Sequence, residues 1–288
     1  MLVATHDGPF HADDVMAFAL LRVFVDAEAR VVRTRDPGVI AGADAVIDVG
    51  GVHDPAARRF DHHQASYEGT RSSAGMVLDW LAAEGRLSVD LAERLRNGTM
   101  NYLDDVDTGR RAPDPVVPCF PRIVEALNQP ASDHAGYDAA FLGAAAMAEA
   151  WLRGTAAQSE KVAEARALVR EAMARAVAEG TQVIELERYV PWKEPYFEAG
   201  GGEHPTAFVL HPGTDGSWRA VAIPPVLGDF GQKVPFPAAW AGLSDAELEA
   251  QTGVAGSVFC HKNRFIAVWK TRAAAVETLQ RHGLWAPG

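Results

Sequence analysis

The 288-residue chain is 48% hydrophobic, which is enough apolar material for one large or two ordinary globular domains. Its formal net charge of −11 excludes a broadly basic surface that coats nucleic acid non-specifically, although it leaves room for a local basic cleft. Two isolated cysteines, Cys119 and Cys260, exclude a CxxC zinc or redox motif and imply no disulfide framework.

Strands and helices alternate in the N-terminal part of the chain. Three short apolar runs predict strands, at residues 2–5, 31–34 and 45–49. A loop with the chain breaker Gly8-Pro9 follows the first run. Asp13 or Asp14 is expected to cap a helix that ends at about Val25. This alternation favours a parallel sheet with helical crossovers.

Polar side chains follow the predicted strands. His6 comes after the first strand, Asp48 closes the third, and Asp61 follows the short segment 58–60. In open α/β sheets, ligands bind beyond the carboxyl ends of the strands. We therefore expect these residues to converge at one edge of the sheet.

The run Arg59-Phe60-Asp61-His62-His63-Gln64 places one carboxylate and two imidazoles side by side. Alternate side chains of an extended strand face opposite ways, so we expect this segment to end a strand and turn. The turn would aim Asp61 and His62 into a cleft and leave His63 on its rim. A lone histidine is usually structural, but this run beside Asp48 favours a metal or catalytic site.

Two helices are predicted next. Ser72-Ser73 is expected to cap the first, which ends at about Glu84, and the second runs from Val89 to about Tyr102. Leu103–Gly109 follows and contains three acids, which the helix macrodipole disfavours at a helix C-terminus. A solvated acidic turn is one interpretation. A bound cation would remove the penalty, so we favour a ligand role for one or two of these acids.

The second half of the chain predicts long helices followed by a small sheet. Residues 110–133 are rich in proline and predict a surface connection with a short helix near Ile123–Leu127. Alanine-rich helices are expected at Tyr137–Leu152 and Gln158–Ala178, and a terminal helix at Thr271. Alternating runs predict five further strands, at residues 182–186, 206–210, 218–223, 258–261 and 265–269.

We therefore expect an α/β fold with two domains. A parallel-sheet N-terminal domain, residues 1–133, would carry the chemistry. Linking helices, residues 134–180, would join it to a smaller mixed α/β domain, residues 181–288.

The candidate metal ligands are too many for one tetrahedral ion. They are His6, His11, Asp13, Asp48, His62 and an acid within 104–107. Such a set suits two ions roughly 3.5–4 Å apart, bridged by a carboxylate, for which Asp48 is the natural choice. Mixed imidazole and carboxylate ligands suit Mn²⁺ better than Mg²⁺ or Ca²⁺. The sequence contains no GxSxG, Walker or HExxH motif, and the glycine run 200–202 is most simply a turn.

These motifs resemble the DHH phosphoesterase superfamily and, within it, the melanocyte-proliferating-gene (Myg-type) exonuclease family. Four N-terminal segments carry the resemblance: Thr5–Asp14, Val46–Gly51, Phe60–Gln64 with Ser72–Gly75, and Leu103–Gly109. Segments in the second domain are similar to family signatures as well: 188–193, 236–243, 258–261, 265–266 and 270–271. The matches span nearly the whole chain.

The resemblance implies a DHH-type N-terminal domain with two divalent ions, Mn²⁺ or alternatively Mg²⁺. One ion would be held by His6, His11 and Asp48, and the other by Asp13, Asp48, His62 and Asp107. Asp61 and His63 would orient ligands or assist proton transfer. Asp104 is a further catalytic candidate and an alternative to Asp107 as a ligand. His11 stands where many DHH enzymes have an Asp, which leaves the identity of the metal open.

The resemblance also implies a second domain that closes over the cleft and binds the phosphate backbone. Lys233, His261 and Lys270 are the candidate contacts, with Arg219 and Arg272 behind them. The alternative for each is an ordinary surface cation or, for His261, a structural strand residue.

As the family implies, the expected activity is metal-dependent removal of nucleotides from the 3′ end of single-stranded RNA or DNA. A small-molecule phosphohydrolase acting on pyrophosphate or a short phosphorylated nucleotide is an alternative that the acidic charge favours. A metal-binding regulatory protein without turnover is a third hypothesis. The expected partner is thus single-stranded nucleic acid or a nucleotide, and self-association into a homo-oligomer is left open. Because no signal-peptide pattern and no apolar run of about 18 residues occurs, we expect a soluble, cytoplasmic protein without membrane contact.

Overall fold

The computed structural model describes residues 1–286. Two compact units make up the chain, Met1–Ser159 and a second that begins at Glu160. The cut between them falls within one long helix, and the predicted three-part division at residues 133 and 180 stays a prediction. Within residues 1–286, no helix has the length and apolar character needed to cross a membrane.

Five strands form the sheet of the first unit, in the order β2-β1-β3-β5-β4. Their bounds are β1 Leu2–Thr5, β2 Arg30–Arg33, β3 Ala45–Ile47, β4 His53–Asp54 and β5 Arg59–Phe60. Strands β2, β1, β3 and β5 are parallel, and β4 pairs antiparallel with β5. The predicted α/β fold with a parallel sheet is confirmed, except that β4 is antiparallel. The carboxyl edge of the sheet carries the segments that follow β1, β3 and β5.

Six helices lie wholly within the first unit. They are α1 Ala12–Phe24, α2 Pro37–Ala41, α3 Ser73–Ala83, α4 Val89–Leu95, α5 Asn101–Asp107 and α6 Phe120–Asn128. Helices α1 and α3 are apolar nearly throughout, and both bury most of their residues in one core with Phe60 and Phe141. This packing fixes the N-termini of α1 and α3, which lie at the carboxyl edge of the sheet.

The helix caps agree with the sequence at α3 and differ at α1. Ser72 is the N-cap of α3, as predicted. Helix α1 begins at Ala12, so the predicted cap at Asp13 or Asp14 is wrong and His11 holds the cap position. Asp14 instead accepts a hydrogen bond from the backbone N–H of His11 at 3.0 Å. An acid in the first turn that bonds back to the cap residue is half of a capping box.

The acidic segment is helical. The predicted helix from Val89 to Tyr102 continues to Asp107, with a π-helical turn over Arg96–Met100 between α4 and α5. Asp104, Asp105 and Asp107 therefore lie within α5, and not in a turn that follows a helix. Because a π turn inserts an extra residue, it changes which face of α5 each acid presents.

Helix α7 (His134–Ala178) is continuous, so the prediction of two separate helices at 137–152 and 158–178 is wrong. The segment between them, Arg153-Gly154-Thr155-Ala156-Ala157, contains two weak helix formers, Gly154 and the less unfavourable Thr155. A single internal glycine costs about 1 kcal/mol relative to alanine, which flanking alanines and long side chains easily offset.

The second unit is a mixed five-stranded sheet with the order β6-β7-β8-β10-β9. Its elements are β6 Val183–Glu185, α8 Lys193–Glu198, β7 Phe208–Pro212, β8 Trp218–Ala222, α9 Asp245–Thr252, β9 Ser257–Cys260, β10 Ile266–Trp269 and α10 Arg272–Arg281. Only β6 and β7 are parallel. One sheet face packs on α9 and α10 around Trp240 and Trp269, and part of the other packs on α7 and Tyr196. The predicted mixed α/β fold is confirmed.

Candidate metal centre

Asp48 directly follows β3 and lies at the centre of the candidate site. Its backbone has φ of 55°, a left-handed conformation that aspartate tolerates better than most residues. Such a conformation costs on the order of 1–3 kcal/mol and occurs mostly where surrounding structure imposes it. The side chain is buried, so this backbone turn directs the carboxylate into the molecule.

The segment from β1 into α1 supplies the first neighbours of Asp48. His6 is buried after β1, and its Nε2 lies 3.3 Å from Asp14 Oδ2 and 3.3 Å from Asp48 Oδ2. His11 is exposed at the start of α1, and its ring centroid lies 5.5 Å from that of His6. Asp13 is fully buried in the first turn of the same helix.

His62 joins Asp48 to the acids of α1 and α5. Its Nε2 lies 3.0 Å from Asp107 Oδ2, 3.3 Å from Asp48 Oδ1 and 3.9 Å from Asp13 Oδ2. The turn after β5, the end of β3, the start of α1 and the end of α5 therefore meet at one point. This is the convergence expected at the carboxyl edge of a parallel sheet.

Three groups of side chains offer ligand atoms that all lie within 4.8 Å of one another. The groups are His6, His11 and Asp48; Asp48, His62 and His63; and His11, Asp13 and Asp107. Asp48 belongs to two groups, and so does His11. Neighbouring groups that share a carboxylate fit one or more divalent ions held by mixed imidazole and carboxylate ligands.

Several of these atoms are buried without a hydrogen-bond partner. They are His6 Nε2, Asp13 Oδ1, Asp14 Oδ2, His62 Nε2 and Asp107 Oδ2. The contacts of the two imidazoles with the acids are at ion-pair distance but lack hydrogen-bond geometry. Buried polar atoms are normally satisfied, so a cluster of unsatisfied atoms calls for a specific partner. Divalent cations would satisfy the atoms of His6, Asp13, His62 and Asp107, which belong to the three ligand groups, and the residues present fit such ions.

Proton affinities in the cluster are strongly perturbed. Burial alone would lower the pKa of His6, but its contacts with Asp14 and Asp48 outweigh burial and raise the pKa to about 10. In the same way, Asp107 and Asp48 overcome burial and raise the pKa of His62 to about 10. Burial and then the charges of Asp48 and Asp107 raise the pKa of Asp13 well above its usual range. The ion-free cluster therefore holds protons where a cation would bind.

The pKa of Asp48 is shifted in the opposite direction. Burial would raise the pKa of its carboxyl, but the two neighbouring imidazoles, His6 and His62, hold this pKa well below its usual range. The carboxylate is therefore ionised at neutral pH, which is the state that coordinates a metal ion.

Asp61 and His63 form a pair at the rim. Asp61 Oδ1 accepts from the backbone N–H of His63 at 3.1 Å and lies 2.9 Å from His63 Nδ1. Its Oδ2 accepts from the backbone N–H of Gly51 at 2.6 Å. The carboxylate is buried, whereas the imidazole is 62% exposed. The pair therefore fixes the turn and holds one exposed histidine beside the cluster.

Asp104 and Asp107 have different surroundings. Asp104 is fully buried and accepts from Ser72 N at 2.9 Å, Ser72 Oγ at 2.8 Å and Arg71 Nη1 at 2.9 Å. Its carboxylate thus fastens the start of α3, and the structure does not bring it to the cluster of imidazoles. Asp107 does reach that cluster through His62. The two acids are three residues apart, and the sequence alone did not show which of them reaches the cluster.

The substrate-binding candidates of the second unit are not gathered at one place. Lys233 Nζ donates to Tyr196 Oη, Gly201 O and His204 O at 2.6–3.0 Å, so its three protons are used internally. His261 Nδ1 accepts from the backbone N–H of Asn263 at 3.0 Å. His261 precedes β10, whereas Lys270 is exposed after its other end.

Two residues beside the cluster were not among the predicted site residues. Ser73 Oγ donates to Phe60 O at 2.8 Å and lies 3.4 Å from Asp48 Oδ1. Arg35 lines a cavity of about 260 Å³ together with His6, His11 and Asp48. Arg35 follows β2 at the same sheet edge, so the rule that located His6 and Asp48 could have found it.

Comparison with known proteins identifies the family. The family model MYG1_exonuc, described as an uncharacterised protein family (UPF0160), matches residues 2–282. The MYG1 protein of Chlamydia trachomatis is 39% identical over 280 residues, which cover 96% of this chain and 94% of that protein. The MYG1 exonuclease of Homo sapiens is 31% identical over 314 residues, which cover 95% and 83%. The chain therefore belongs to the MYG1 (UPF0160) family.

Proposed function

We propose that this protein is a metal-dependent phosphodiesterase that removes nucleotides from the 3′ end of single-stranded RNA or DNA. The observation that carries the proposal is the position of Asp48, a buried carboxylate that two neighbouring groups of potential metal ligands share. Relatives that bear the name exonuclease support the nuclease part. The proposal includes three further points: membership of the DHH superfamily, cleavage from the 3′ end, and a cytoplasmic location.

Two divalent ions, Mn²⁺ or Mg²⁺, fit the available ligands. His6, His11 and Asp48 would hold one, and the second would take Asp13, Asp48, His62 and Asp107. When bound, such ions activate water as a nucleophile and neutralise charge on a phosphodiester. Ser73 and Asp14 would orient the ligands that they contact, because such supporting contacts fix side-chain geometry.

The residues at the rim would handle the substrate and its protons. The contact of His63 Nδ1 with Asp61 places the proton of the neutral ring on Nδ1, so Nε2 is the nitrogen that can meet a substrate. As an imidazolium, His63 would give its Nε2 proton to the leaving oxygen and return to the neutral ring. Arg35 is exposed and adds a cation to the same cavity, although Asp7 lies 3.1 Å from its Nε. A guanidinium at this place suits a phosphate that enters the cluster.

The test is hydrolysis of a single-stranded RNA oligomer with Mn²⁺. A 5′ label would reveal a ladder of shortened products from 3′ removal, and a 3′ label would be released at once as a mononucleotide. His62→Ala should abolish the ladder, whereas His134→Ala, which removes an exposed histidine at the start of α7, should not. Full activity of the His62→Ala variant would contradict the proposal.

A small-molecule phosphohydrolase is the second candidate. The cavity of about 260 Å³ beside the cluster is small, and the net charge of −11 disfavours a long polyanion. Pyrophosphate and a dinucleotide therefore belong in the same experiment. Intact RNA together with turnover of these small substrates would favour this second function.

A further inference from the structure

One sheet face of the second unit presents half-exposed side chains. Strands β8 and β10 bury Ala220 and Ala267 on the face covered by α9 and α10. The intervening Arg219, Val221 and Ile266 are half-exposed and, because side chains alternate along a strand, share the opposite face. They form the floor of a pocket of about 430 Å³. This volume lies within the ~300–1,000 Å³ range of small-molecule sites.

Aromatic rings line this pocket. Tyr189 is 59% exposed and Phe265 is 37% exposed, although large rings are usually buried. The ring centroid of Tyr189 lies 5.2 Å from that of the buried His211, and Trp192 lies at the same pocket. Proteins that bind single-stranded nucleic acid stack its bases on exposed aromatic rings of this kind.

The pocket also carries cations in an otherwise acidic protein. Lys193 and Arg219 line it, and its described lining residues include no carboxylate. Arg219 Nη2 donates at 3.0 Å to Asp215, which does not line the pocket. The Nε of Arg219 is buried without a hydrogen-bond partner. A Cβ on Gly213 would come within 2.8 Å of this Nε, so the backbone there leaves room for the guanidinium.

We propose that this pocket is a nucleotide-binding subsite for single-stranded nucleic acid. Bases stack on Tyr189 and Phe265, and the phosphate meets Lys193 and the half-exposed part of the Arg219 side chain. This assignment rests on the proposed exonuclease function and extends it, because it names the residues that hold a nucleotide in the second unit. Lys233 is not among them, since its protons are used internally.

The experiment measures binding separately from cleavage. Fluorescence anisotropy with a labelled single-stranded RNA is recorded for the full chain in an Asp48→Asn background, which does not degrade the probe. Tyr189→Ala and Phe265→Ala are each expected to weaken binding by about 5- to 150-fold. Phe230→Ala, which removes a ring that is 96% exposed and outside the pocket, should leave binding unchanged. Lys193→Ala should reduce the slope of log K against log salt by about 0.7.

The outcomes separate the two proposals. RNA binding that is unchanged in the Tyr189→Ala, Phe265→Ala double variant overturns the subsite, even if the unaltered chain cleaves RNA. If RNA binding depends on Tyr189 and Phe265 but the unaltered chain does not cleave RNA, the subsite is retained and the exonuclease function is overturned. Displacement of the RNA by polyglutamate but not by a mononucleotide overturns the assignment in favour of an acidic peptide.

Discussion

His62 Nε2 lies 3.0 Å from Asp107 Oδ2, which connects the turn after β5 to the last turn of α5. The neighbouring acid Asp104 faces Ser72 and Arg71 instead. The two acids of the same helix therefore have separable tasks. Asp107 contacts the cluster of imidazoles through His62, and Asp104 holds the start of α3.

This contrast predicts opposite phenotypes for two matched substitutions. Asp107→Asn should lower activity about 100-fold or more, because it removes a charged ligand, while the free energy of unfolding changes little. Asp104→Asn should cost about 2–4 kcal/mol of stability, because buried charge-assisted hydrogen bonds are lost. Urea unfolding and Mn²⁺-dependent hydrolysis measure the two effects. A stable, inactive Asp104→Asn protein would contradict the assignment.

Asp48→Asn is predicted to remove both ion sites at once, because the carboxylate is shared between two groups of ligands. Metal analysis after dialysis against limiting Mn²⁺ should find two ions per unaltered chain and fewer than one per Asp48→Asn chain. His6→Ala should lose only the ion held with His11. Glu28→Gln, at an exposed acid, is the control. Retention of two ions by Asp48→Asn would rule out a bridging role.

The sequence predicted the position of the cluster because a simple rule controls it. His6, Asp48 and His62 each follow a parallel strand, and parallel strands end at one edge. The choice between Asp104 and Asp107 does not follow from such a rule. It depends on the rotation of α5, which the π turn Arg96–Met100 sets and which local sequence does not reveal.

Features that depend on long-range packing do not show in local sequence. The internal bonds of Lys233 join segments that are distant in sequence, Tyr196 and Gly201, so no local pattern shows that its charge is used. The continuity of α7 was missed for a related reason. A single Gly154 is a weak signal, and it is outweighed by the packing of Phe141 before it and Val169 after it, both of which are buried.

Proton release on metal binding is a third prediction. In the ion-free chain the pKa values of His6 and His62 are about 10, so both imidazoles carry protons at pH 7. Ligation requires neutral nitrogens, so binding of Mn²⁺ must expel these protons and apparent affinity must rise with pH up to about 10. Calorimetry in two buffers of different ionisation enthalpy measures the number of protons released. Binding heats that are the same in both buffers would contradict the protonated state.

The same shifts predict how the stability of the ion-free chain depends on pH. A histidine whose folded pKa exceeds its unfolded value of about 6.5 stabilises the fold fully below pH 6.5, and this contribution is lost as pH rises through 10. The raised pKa of Asp13 acts in the same direction, because ionisation of a buried acid destabilises the fold. In EDTA, the free energy of unfolding should therefore fall between pH 6.5 and pH 10. Saturating Mn²⁺ should reduce this fall, and a stability that rises over this range in EDTA would refute the prediction.

The glycine beside Asp104 gives a last prediction, about the support of the site. A Cβ on Gly75 would lie 2.2 Å from Asp104 Oδ1, and this carboxylate cannot move without losing its bonds to Ser72. Gly75→Ala should therefore cost about 1–3 kcal/mol of stability. Gly143→Ala is the matched control, because Gly143 lies in α7 where an added methyl group would meet no neighbouring segment within 4 Å. Alanine there should stabilise the fold by up to about 1 kcal/mol. Thermal unfolding of both variants measures the difference. Equal melting temperatures would mean that the start of α3 can shift to accept the methyl group and that Asp104 does not hold it rigidly.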